Sequence, residues 1–116
     1  MAIDAKVKLS VGEIEITLPS GKVIRKTVEG KAETVICMKD RFVVLLREVT
    51  EKNYSKNLQC YSYDGELLWI CDAPTDEDTW MDIYEHQGKI MAGSWGTYSC
   101  EINPSSGACL NGVYTK

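Results

Sequence analysis

One histidine, five cysteines and a single acidic run are the residues whose types could carry chemistry in this chain of 116 residues. His86 would have to act as acid, base or metal ligand. It could also pair in space with Cys37, Cys60, Cys71, Cys100 or Cys109 as an activated nucleophile. No spacing selects such a pair, and His86 stands beside Gln87-Gly88, a turn at which an exposed histidine is ordinary. No two cysteines are spaced C-x-x-C, and a zinc site needs clustered ligands. DAPTDEDTWMD has neither the ligand spacing nor the glycine of an EF-hand loop. Phosphate-binding loops, nucleophile elbows and dinucleotide fingerprints do not occur. The expectation is no catalytic residue, no metal and no cofactor, with a small enzyme using His86 as a remote alternative. The cysteines read as reduced thiols buried in apolar runs.

The acidic run points elsewhere. Asp72, Asp76, Glu77, Asp78, Asp82 and Glu85 occur with no Lys or Arg between residues 72 and 88, and Trp80 and Tyr84 are interleaved among them. Carboxylates around aromatic anchors suit a basic protein surface, the charges steering the encounter and the rings supplying contact area. Asp76, Glu77, Asp78, Trp80, Asp82 and Tyr84 are therefore the expected partner-binding residues. The competing reading is a solvated connector whose aromatics are simply core.

Charge is distributed to match. The chain is −4 overall, but residues 1–56 sum to +3 and residues 57–116 to −7. A basic nucleic-acid footprint is absent, so a nucleic-acid partner is not expected. The acidic half fits a basic partner, or the basic half of another copy. The N-terminal MAIDAKVKLS has no apolar signal core, and no run approaches the ~20 apolar residues of a membrane span. A cytoplasmic, membrane-free protein is expected.

The elements that must position these residues read as strands. Ile14, Ile16 and Leu18 alternate with Glu13, Glu15 and Thr17, the period of a half-buried strand. Pro19-Ser20-Gly21 turns it, so residues 12–30 form a hairpin. Phe42 to Leu46 is continuously apolar, as in a strand covered on both faces. Residues 47–56 are polar and read as a long loop. LQCYSYDGELLWI turns at Asp64-Gly65, WMDIYEHQGKIMAGSW at Gln87-Gly88, and TYSCEINPSSGACL at Pro104 to Gly107. Residues 75–85 fit a capped helix or a strand, and the strand is preferred.

The segments 33–72 and 77–115 also repeat one another. Lys39-Asp40-Arg41-Phe42 aligns with Gln87-Gly88-Lys89-Ile90, Leu58 and Cys60 with Tyr98 and Cys100, and Gly65 with Gly107. Each copy reads as four short strands, with a period of about 40–48 residues that belongs to propeller blades. GKIMAGSWGTYSCEINPSSGACL and RFVVLL…NLQCYSYDGELLW resemble blades of quinoprotein-type (PQQ-like) β-propellers. Gly65 and Trp69 keep that family's Gly-to-Trp spacing, whereas Gly107 is followed by Asn111, which removes the docking tryptophan. The resemblance implies blade-like repeats over residues 33–115, with 12–30 as a further half blade. About two and a half blades cannot close a ring within one copy, so the quinone site is not carried over.

The fold expected is thus all-β: one domain, residues 1–116, of four-stranded antiparallel sheets stacked as a partial propeller. Trp69, Trp95, Tyr61, Tyr63 and Tyr98 could line a ligand groove, but at blade corners they read rather as packing between blades. The leading function is a non-enzymatic protein-binding module, for instance an immunity-type antagonist of a basic toxin. The alternative is a propeller-like homo-oligomer that binds a small ligand.

Overall fold

The computed structural model describes residues 5–114. They form nine antiparallel strands in two sheets. The first sheet is a meander of β1 (Lys6–Thr17), β2 (Val23–Cys37), β3 (Arg41–Arg47), β4 (Leu58–Ser62) and β5 (Leu67–Cys71). The second is a meander of β6 (Trp80–His86), β7 (Lys89–Ser94), β8 (Tyr98–Ile102) and β9 (Cys109–Tyr114). The fold class is all-β. Residues 75–79 form a turn and the strand begins at Trp80. The polar stretch expected as plain loop contains a 3-10 turn at Glu51–Lys56.

Strand β2 is long enough to serve two neighbours. Residues 23–31 pair with β1 and residues 31–37 with β3. The change of partner falls beside Gly30, whose φ of 73° is a backbone state that side chains rarely adopt. A Cβ here would also collide with the Arg47 carbonyl oxygen. The β1–β2 hairpin consequently covers one face of its own sheet. Ile14, Ile16 and Val28 pack with Phe42, Val44, Leu46, Tyr61 and Tyr63.

The other face of that sheet meets the second sheet. Val43, Leu45, Leu58, Cys60, Trp69 and Cys71 pack against Trp80, Ile83, Ile90, Ala92, Cys100 and Ile102. Successive residues of a strand point to opposite faces, so Phe42, Val44 and Leu46 serve one core while Val43 and Leu45 serve the other. All five are buried, which is why their stretch of sequence is apolar without alternation.

Three polar devices lock the sheets together. Buried Asn57 donates through Nδ2 to the Leu46 and Trp80 carbonyls (2.9 and 2.8 Å) and accepts from the Trp80 N–H at 3.0 Å. One amide thus supplies a peptide's worth of pairing between β3 and β6. The Trp80 indole donates to the Cys71 carbonyl at 2.9 Å. Trp69 donates to the Pro104 carbonyl at 2.9 Å, and its ring lies where a Cβ on Gly107 would stand.

Candidate binding cleft

At one end of the junction between the sheets, β3 runs out at Arg47 and the chain turns through Glu48, whose φ is 58°. The 3-10 turn then carries Tyr54 and leads to Asn57. From the opposite sheet come Thr79, Met81 and Trp95. These residues, with Leu46 and Val49, enclose a cleft of about 340 Å³, at the lower end of ordinary ligand-site volumes.

Trp95 dominates its mouth. It is 68% exposed, the most exposed aromatic among the described residues, although the sequence suggests packing between blades for it. The other members of that aromatic set do pack inward: Tyr61, Tyr63 and Trp69 are buried and Tyr98 is half-buried. The backbone beneath Trp95 is held firmly. Its N–H donates to the Thr79 carbonyl at 2.8 Å. Asp78, itself buried, accepts from the Gly96 N–H and the Thr79 N–H at 2.8 Å each, and from the Ser94 hydroxyl at 2.6 Å. Ser94 Oγ in turn accepts from the Tyr98 N–H. Thr97 completes the turn in a left-handed conformation, φ 68°. A large aromatic on a rigid turn loses little freedom when it is covered. Glu48, which lines the cleft, is one of the described non-glycine residues with positive φ, a backbone state that concentrates at binding sites.

The acidic run is split by the fold. Asp78 and Trp80 point inward: Asp78 positions the Trp95 turn, and Trp80 is fully buried between the sheets, so neither presents a surface to a partner. Asp76 and Glu77 are exposed on the turn leading to Thr79, which lines the cleft. Asp82 and Tyr84 are exposed on β6 immediately beyond Met81, on the face of the second sheet that points away from the first. No ion pair among the described residues neutralises Glu48, Asp76, Glu77 or Asp82. The guanidinium at the cleft is already engaged, since Arg47 pairs with Glu33 at 3.0 Å and donates to the Met81 carbonyl and sulfur. Lys56 is likewise held by Asp72 at 2.8 Å.

The groups considered for catalysis do not converge. His86 is exposed at the β6–β7 turn, paired through its backbone with Lys89, and no hydrogen bond or ion pair reaches its side chain among the described residues. Cys60 lies in the inter-sheet core, where burial pushes its thiol up to about 12 and Arg41 offsets only part of the rise. Among the described residues no group of three His, Cys, Asp or Glu side chains is placed to hold a metal ion. No described helix is long and apolar enough to cross a membrane.

What the fold defines is a two-sheet, all-β protein with an aromatic-rimmed, acid-flanked cleft. The model of the family described as a domain of unknown function (DUF7957) matches residues 5–114, and the chain belongs to that family. No curated protein matches the sequence.

Proposed function

We propose that this protein is a non-enzymatic protein-binding module whose docking site is the Trp95 cleft. Its partner offers an apolar side chain to the cleft and Lys or Arg side chains to the surrounding carboxylates. The observation that carries this reading is Trp95, 68% exposed on a turn braced by hydrogen bonds to Asp78, with the Glu48 carboxylate in the same cleft and in no ion pair among the described residues. Exposed aromatics of this kind are the side chains that dominate binding energy at protein interfaces. An immunity-type antagonist of a basic toxin is one concrete instance.

We read the two sheets, further, as neighbouring blades of a partial propeller. The support is the contact of Trp69 with Pro104 and Gly107, in which a tryptophan on the last strand of the five-stranded meander docks onto the closing turn of the four-stranded one. At the matching place in the second meander stands Asn111, exposed and at φ 54°. The stack therefore has a docking residue for the second sheet and none for a third, which favours a terminated stack over a ring of several copies.

The test compares affinity capture from the source cell by the wild-type chain, by Trp95→Ala and by Asp76→Lys/Glu77→Lys. The recovered partner is then purified and its binding measured by calorimetry. Trp95→Ala should weaken that binding by roughly 2 kcal/mol, about 30-fold. The charge reversal should slow association and flatten its salt dependence. A partner bound equally by all three proteins would sink the proposal. A solution mass several times 13.0 kDa would instead favour the ring-forming homo-oligomer.

A further inference from the structure

Three of the five cysteines meet at the outer margin of the two sheets. Cys71 ends β5, the edge strand of the first sheet, and Cys109 begins β9, the edge strand of the second. Their sulfurs lie 3.6 Å apart. Cys100, on β8, shares the inward face with Ile102, whose cross-strand partner is Cys109, and lies within electrostatic reach of both other thiols. The three differ in access. Cys71 and Cys100 are 3% and 1% exposed, whereas Cys109 is only partly buried. Burial first, and then the neighbouring Cys109, holds the thiols of Cys71 and Cys100 well above the ordinary range. An oxidant arriving from solvent therefore meets Cys109, with a second sulfur already in contact behind it.

We propose that Cys109 and Cys71 form an oxidative modification site, in which a hydroperoxide converts the contact between the two sheet edges into a disulfide. In the first step the Cys109 sulfur attacks a peroxide oxygen. The O–O bond breaks, the alcohol (or water) leaves with the thiol proton, and Cys109 becomes a sulfenic acid. In the second, the Cys71 sulfur attacks the Cys109 sulfur. The S–S bond forms, the S–O bond breaks, and the departing hydroxide takes the Cys71 proton as water. Two thiols have then given two electrons to one peroxide. The fold selects this pair: the contact already spans the sheets, so closing it needs only local movement of two edge residues. Cys37, exposed on β2, has no thiol beside it and can link only to other molecules. The new bond would tie together the two margins that Trp69 and Trp80 join from within.

The experiment treats the full chain carrying Cys37→Ser with hydrogen peroxide, then alkylates, digests and locates any disulfide by fragmentation. The expected product has lost the mass of two hydrogens, links Cys71 to Cys109 and leaves Cys60 and Cys100 alkylated. Its thermal midpoint should rise and return to the starting value with dithiothreitol. In Cys71→Ser the sulfenic acid on Cys109 should persist long enough for capture by dimedone. A Cys100–Cys109 link, or stepwise oxidation with no intramolecular disulfide, would overturn the assignment. The disulfide mapping on the Cys37→Ser chain decides the matter even if Cys71→Ser does not fold.

Discussion

The central strands of the two sheets, β3 and β7, make the same kind of turn-to-turn run and are buried in opposite ways. In β3 the residues from Phe42 to Leu46 are all hidden, one set under the β1–β2 hairpin and the other under the second sheet. In β7 Ile90, Ala92 and Ser94 are buried while Met91 and Gly93 are only half covered. The outer face of the second sheet, where Tyr84, Met91, Glu101 and Leu110 lie in one cross-strand row, has nothing folded over it among the described residues. A sheet's number of covered faces is thus written in its middle strand, as a continuous apolar run for two faces and as alternation for one. The cleft opens at the end of the junction between the doubly and singly covered sheets.

That contrast can be broken in graded steps. Phe42→Ala, beneath the hairpin, should lose roughly 3–5 kcal/mol of stability in denaturant unfolding, because a large ring leaves a void that both layers must close. Asn57→Ala at the junction should lose roughly 2–3 kcal/mol, since it strands the Trp80 N–H and two carbonyls in a buried place. The same measurement should find Asp78→Ala milder, about 1–2 kcal/mol, with the larger consequence being weakened partner binding as the Trp95 turn loosens.

Acid should act on one loop. The Thr50 hydroxyl, then the Thr50 N–H and the Asn53 side chain, hold the Glu29 carboxyl below its usual range. Its contribution is fully present above the ordinary glutamate pKa and is lost as pH falls through the lowered value. The Thr50 amide resonance, followed by NMR titration, should move with a midpoint below that of an ordinary glutamate, and Glu29→Gln should abolish the transition. Smallest of all, Met91→Lys on the open outer face should change stability by no more than about 0.5 kcal/mol. A large loss there would mean that the face is covered.

Much of the fold was legible in the sequence. The alternation of Ile14 and Ile16, the unbroken run at 42–46 and the turns at Gly65, Gly88 and Gly107 are local signals, and the strands follow them. The bend at Gly30 was not, because it arises from a close approach to the Arg47 carbonyl, a contact distant in sequence. The site was less legible. Asp78 and Trp80 look like Asp76 and Tyr84 in composition, and only the three-dimensional neighbours of Asp78, Ser94 and Gly96, turn it inward. Trp95 resembled a packing tryptophan because it lies at a blade-like corner. The one available hint was its setting, Gly93-Ser94-Trp95-Gly96-Thr97, a tight turn with no apolar neighbour to bury an indole.

Trp95 also supplies the most direct test. Trp69 and Trp80 are buried, at 8% and 0% exposure, so the solvent-exposed part of the tryptophan emission belongs to Trp95. Titrating the purified partner into the protein should shift that emission to the blue and protect it from iodide quenching, and Trp95→Phe should remove the response. Binding of the partner with emission and quenching unchanged would contradict the account.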